Sequence, residues 1–161
     1  MTLRYLSTVL ETPHVVVAAA IATKVANPAL AIPLALGSHF ILEKIPHWNP
    51  HINTEMKKFG KISDSSKKII MLDVILSLLF GFYIASLAPN NLRALTVIFT
   101  CFVAVLPDLI EAPYYLAGTK IDFIVKKWIP FKKSIQADAS FLPGLFNQVL
   151  IVAVALLWAL T

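Results

Sequence analysis

The sequence predicts an all-α fold, a polytopic transmembrane helical bundle of about five membrane segments, and three observations carry that expectation. Apolar residues fill 58% of the 161 positions and charged residues only 14%, against roughly 45–50% and ~25% in soluble domains. The mean hydropathy is +0.75. The apolar residues fall into five runs, with turn residues and most of the lysines between them. This composition argues against a soluble globule, a disordered tail or a nucleic-acid module. The net charge of +5 is accounted for by lysines gathered in loops on one side of a membrane, without a polyanionic partner. With no internal repeat and no low-complexity linker, residues 1–161 read as one integral-membrane helical domain.

The first run, about Thr12 to Ala26, ends at Asn27-Pro28; the second, about Pro28 to Ile45, contains Pro33 and closes at Pro46. Both fall short of the ~20 residues of a straight span, so they predict a tight helical hairpin that is tilted, kinked or only partly crossing. A short basic start before an apolar run suits a signal peptide, yet Glu11 and His14 ahead of the run and Lys24 after it predict retention. The third run, about Ile69 to Ala88, and the fourth, about Leu92 to Leu116, are joined through Pro89-Asn90-Asn91. The single cysteine, Cys101, lies in the fourth and reads as a buried thiol. The fifth, Phe141 to Thr161, holds no charged residue and is the clearest span.

Orientation follows from the lysines. Lys57, Lys58, Lys61, Lys67 and Lys68 lie between runs two and three, and Lys120, Lys126, Lys127, Lys132 and Lys133 between runs four and five, while only Lys24 and Arg93 occupy the other two connections. The positive-inside rule makes the basic face cytoplasmic, with the N-terminus in and the C-terminus out, in a multi-pass protein integral to the cytoplasmic (inner) membrane. Trp48, Tyr114, Tyr115 and Trp128 fall at that face, and Ile121 to Phe131 mixes lysines, aromatics and aliphatics as an interfacial segment does.

Ionisable groups within spans cost on the order of 2.5–3.5 kcal/mol each on insertion scales and mark functional interiors by default. His14, with Glu11 before it, opens run one. His39, Glu43 and His47 end run two at spacings of four; Asp73 lies early in run three, Asp108 and Glu111 late in run four, Asn147 and Gln148 early in run five. Under the lysine-derived topology all fall in the cytoplasmic half, with His39, Asp73 and Gln148 roughly 10 Å in. Spacings of four place His39, Glu43 and His47 on one helical face, and the three-residue step does the same for Asp108 and Glu111. Imidazole and carboxylate are ligands for zinc, manganese or iron, and carboxylates with no lysine or arginine beside them call for a cation. The expected cofactor is therefore a divalent metal, one or two ions, held by some of His14, His39, Asp73, Asp108 and Glu111. Glu11 reads equally as a first-turn carboxylate favoured by the helix dipole, His47 as an interfacial histidine in a turn, and Asn147 and Gln148 as interhelical polar bonds supporting the site.

The stretch Gly37-Ser38-His39-Phe40-Ile41-Leu42-Glu43-Lys44-Ile45-Pro46-His47-Trp48 resembles the Ser-His-x-x-Leu-Asp-x-x-Pro-His signature of small prokaryotic integral-membrane proteins described as metal-dependent hydrolases. The resemblance extends to Pro13-His14 and to Leu106-Pro107-Asp108-Leu109-Ile110-Glu111, similar to that group's Leu-Pro-Asp element. Glu43 stands where the signature has aspartate. The resemblance implies hydrolysis assisted by a bound metal. Together with the residues it gives the expected function, a phosphoesterase acting on a lipid or polyprenyl phosphate at the cytoplasmic leaflet. Glu43 or Glu111 would be the general base and His47 the proton donor to the leaving group. The expected partner is a membrane lipid or lipid-like substrate, with no nucleic acid. Two other functions use the same residues: a metal-ion or proton transporter and a di-iron oxidase-like membrane enzyme. Nearly apolar outer halves of the runs favour a blind pocket over a passage.

Overall fold

The computed structural model describes residues 10–161, and the short basic start around Arg4 lies outside the described residues. The described chain is helical: α1 (Glu11–Lys24), α2 (Pro28–Leu42), α3 (Ile52–Phe59), α4 (Asp64–Ser86), α5 (Asn91–Leu109), α6 (Ala112–Ala117), α7 (Ile129–Ile135) and α8 (Phe141–Leu160). One turn of π-helix, Ile124–Trp128, leads into α7. Three helices, α4, α5 and α8, are long and apolar enough to cross a membrane. α1 and α2, at 14 and 15 residues, are shorter, as expected for the hairpin.

The bundle is organised around α1, which packs against α2, α4, α5 and α8. Its sequence explains that position. Ala18, Ala19, Ala20 and Ala22 are buried on successive faces, and residues this small let neighbouring backbones approach closely, the main source of helix association in an apolar solvent. α8 has the opposite character, with Leu142, Phe146, Val154 and Leu157 exposed.

Both ends of α1 are satisfied by other helices. Its first N–H groups meet Asp73 of α4: Glu11 N–H donates to Oδ2 at 2.5 Å and Thr12 N–H to Oδ1 at 3.1 Å. At its far end the Arg93 guanidinium donates to the carbonyls of Ala26 at 2.7 Å and Thr23 at 3.2 Å, where the helix dipole favours a cation. Asn27 caps α2 by accepting from Ala29 N–H, and Pro28 opens that helix where a missing N–H costs nothing.

Several boundaries differ from the sequence reading. The fourth run does not continue to Leu116: the helix stops at Leu109 and restarts at Ala112, because Pro113 cannot donate back into a continuous helix. The third run begins earlier, at Asp64, where Ser63 accepts from Ser66 N–H and fixes the helix start. The second run ends as helix at Leu42, so His47 does not share a helical face with His39 and Glu43; Pro46 diverts the chain first. The connection after it holds the short amphipathic helix α3, whose Ile52 and Met56 are buried with Tyr115, Ile124 and Ile129.

Candidate metal centre

α1 contributes His14, α2 His39, the C-cap residue of α2 Glu43, and the last turn of α5 Asp108. One ligand atom from each of these four lies within 4.8 Å of every other. The His14 and His39 rings stack with centroids 4.1 Å apart. His39 Nε2 is 3.5 Å from Glu43 Oε1 and 3.7 Å from Asp108 Oδ2, so the one-turn spacing of His39 and Glu43 does place them side by side. A tetrahedral ion with bonds near 2 Å sets its ligand atoms ~3.4 Å apart, within small side-chain adjustments of this arrangement.

Burial makes the arrangement expensive on its own. His14, His39 and Glu43 have no exposed surface. Both His14 ring nitrogens, both Glu43 carboxylate oxygens and Asp108 Oδ2 are buried without a hydrogen-bond partner, and each such group ordinarily costs about 1–3 kcal/mol, more if charged. Two imidazoles and two carboxylates form a donor set suited to zinc, manganese or iron. This buried group could bind a metal ion.

The carboxylates are not, however, without a cation of their own. Lys132 of α7, counted among the loop lysines by sequence, is buried. Its Nζ donates to Asp108 Oδ1 and lies 3.6 Å from Glu43 Oε1 and 3.9 Å from Glu111 Oε1. Burial pulls the Lys132 ammonium below its ordinary value, while Glu43 and Glu11 push the other way. Burial raises the Glu43 and Glu111 carboxyls, and Lys132 offers one positive charge to the three carboxyl groups around it. The lysine softens the argument from carboxylate repulsion without removing it.

Lys132 reaches the site because of an irregular helix. Pro130 removes an N–H that a regular helix would use, and the preceding turn widens so that Ile129 N–H bonds Ile124 O. Trp128 Nε1–H anchors this turn on the Pro107 carbonyl at 2.9 Å. Ile129 and Lys132, three residues apart, form its buried face. That spacing was the only local signal, and it competed with a Lys-Lys pair that reads as a solvated loop. Gln136 and Asn49 are two further polar residues, half-buried and buried, that no sequence period singles out. Gln136 Nε2 lies 3.3 Å from His47 Nε2, and Asn49 is fully buried with neither amide atom hydrogen-bonded.

The other anticipated site residues take different places. Asp73 stands outside the group of four. Its carboxylate serves the start of α1, where Thr12 Oγ1 adds a donation to Oδ1 at 2.6 Å. Glu11 is the first residue of α1 and holds Oε2 buried without a partner. Glu111 follows α5 and joins the group only through Lys132. His47 sits in the loop after α2, where its backbone pairs with Ala137 and Ala139. Its Nδ1 lies 2.7 Å from the Ile45 carbonyl, a contact that assigns the proton to Nδ1 and leaves Nε2 as an acceptor. Burial holds this imidazole below its ordinary value, despite the opposing Ile45 contact. Asn147 donates to the Pro46 carbonyl at 2.7 Å and Gln148 to the Trp48 carbonyl at 2.5 Å. Both therefore fasten α8 to the loop carrying His47. Gly144 permits that contact, since a Cβ there would lie 2.6 Å from Trp48 Cβ and 2.7 Å from the His47 carbonyl carbon.

No family model matches the chain, and neither does any curated protein or solved structure.

Proposed function

We propose that this chain is a metal-dependent membrane hydrolase, of the kind its Ser38–Trp48 stretch resembles, and that it acts as a phosphoesterase on a lipid or polyprenyl phosphate at the cytoplasmic leaflet of the inner membrane. The observation that carries this reading is the convergence of His14, His39, Glu43 and Asp108 within 4.8 Å, with His14 and Glu43 buried and unbonded. His14, His39, Glu43 and Asp108 would hold a divalent ion, which when bound would supply a Lewis acid for a phosphoryl oxygen and bring the pKa of a water toward ~7. Because Glu43 belongs to the ligand group, Glu111 is the general base favoured here; its Oε1 is buried with no hydrogen bond. His47 protonates the leaving group once its Nε2 has taken up a proton, since its Nδ1 is engaged by Ile45.

An enzyme suits the core better than a transporter. Beyond the four ligands, Val16, Ala19, Ile84, Val97, Cys101 and Ala155 form a buried apolar cluster, and the buried hydroxyls beside it, Thr96 and Thr100, are closed on the carbonyls of Leu92 and Thr96 in their own helix, whereas a passage needs polar groups reaching both faces. The exposed lysines of residues 57–68 and 120–127 support a cytoplasmic placement of the end that carries the site.

The test is phosphate release from phosphatidate and from a polyprenyl phosphate in mixed micelles supplied with zinc, manganese or iron. Chelator-sensitive release, lowered by about 100-fold or more in Glu111→Gln, is the expected result. Release that is absent with every metal and both substrates overturns the hydrolase reading.

A further inference from the structure

A groove of about 460 Å³ opens between α4 and α5 and runs up to the candidate metal centre. Val74, Leu78 and Phe82 line one wall, and Ile98, Phe102 and Val105 the other, at the three- and four-residue spacings that put side chains on one helical face. Its floor is the central helix, through Val15, beside Cys101 and Gly81. Gly81 contributes to the depth: a Cβ there would come within 3.3 Å of Val15 Cγ1. The wall from Ile98 to Leu109 is about 16 Å long. At one end the lining changes character, and Asp108 and Glu111 enter it with Glu11 and Asp73.

Resting on the hydrolase reading, we infer that this groove holds one hydrocarbon chain of the lipid phosphate, which enters sideways from the bilayer between α4 and α5 and directs its phosphate toward a divalent ion held beside Asp108. Continuity decides the occupant. The apolar channel and Asp108, one of the four candidate metal ligands, belong to one cavity, so a ligand filling it has an apolar length and a metal-seeking head. The walls are also open on their outer side, with Val74, Leu78, Phe82 and Phe102 exposed, so a chain need not leave the apolar phase to enter. α8 offers an internal contrast, being exposed and apolar but lining no part of this groove.

The test uses the full chain, loaded with zinc in phosphatidylcholine vesicles containing a phosphatidate with a photoreactive diazirine in its acyl chain. After illumination, crosslinks are mapped by mass spectrometry. Crosslinks should concentrate on residues 74–82 and 98–105 over residues 150–157 of α8. Ile98→Trp, which fills the groove at a half-exposed position, should lower groove crosslinking by about tenfold, the discrimination a modified apolar pocket provides. Leu157→Trp on α8 should leave it unchanged. Metal content and detergent-solution size of each variant confirm that it remains folded. Equal labelling of the groove and α8, or groove labelling indifferent to Ile98→Trp, overturns the inference. Concentrated groove labelling without phosphate release from any substrate supports the chain site and overturns only the hydrolase reading. Phosphate release with evenly scattered labelling does the reverse.

Discussion

Asp73 and Asp108 are both carboxylates near the site end of membrane-length helices, and they illustrate two uses of a buried charge. Both oxygens of Asp73 accept hydrogen bonds, from Glu11 N–H, Thr12 N–H and Thr12 Oγ1. Three donors and the positive end of α1 make this carboxylate a structural cap. Asp108 has one oxygen bonded to Lys132 and the other buried and unbonded, facing His39 at 3.7 Å. An acceptor with nothing to accept is costly unless something else is bound, and this separates a candidate ligand from a cap when residue type is the same.

The largest break in the comparison comes from Lys132, the only lysine or arginine bonded to Asp108 among the described residues. Lys132→Met should destabilise the metal-free protein by about 3–5 kcal/mol, because it leaves Glu43, Asp108 and Glu111 buried without a counter-charge. Added zinc should then raise the melting temperature more in this variant than in the wild type, read by thermal unfolding in detergent. Asp73→Ala comes next. It strands the Glu11 and Thr12 N–H groups and should cost about 2–4 kcal/mol in the same measurement, while the zinc-induced shift stays at its wild-type size. A smaller effect sharpens the rule outside the membrane. Glu55 accepts from Ser63 N–H at 2.8 Å and from the Ser63 and Ser66 hydroxyls at 2.8 and 2.9 Å. Burial raises its pKa, yet these bonds prevail and hold it below the ordinary carboxylate value. A depressed folded pKa gives stability that is present above the unfolded value and lost as pH falls through the folded one. Glu55→Gln should therefore lower stability by at most ~1 kcal/mol at neutral pH, and the difference from wild type should vanish below the ordinary carboxylate range.

The helical architecture and the polar candidates were readable because both depend on local pattern. Apolar runs set helices, and in a sequence so poor in charge each buried histidine or carboxylate stands out. His14, His39, Glu43 and Asp108 all stand out this way, although the sequence reads Glu43 as a catalytic base and includes Asp73 among the metal ligands. What divides Asp73 from Asp108 is tertiary: the start of α1 lies against one and not the other, and no spacing within α4 or α5 encodes that. Lys132 was hidden for a similar reason, since its burial depends on the widened turn before Pro130 and on Trp128 docking against Pro107. His47 was misplaced by extending a period of four through Pro46, where the backbone cannot follow. The burial of α1 did have a sequence signal, its alanines, but hydropathy weighs alanine and leucine only by polarity and overlooks the size that separates α1 from α8.

Metal content tests the central claim most directly. Wild-type protein, Asp108→Ala and Asp73→Ala are purified in detergent, supplied with zinc, manganese or iron, freed of loose ions by gel filtration, and quantified by elemental mass spectrometry. About one ion per chain is expected in the wild type and in folded Asp73→Ala, with loss of that ion in Asp108→Ala. No metal above background in the wild type, or equal loss in the two variants, contradicts it.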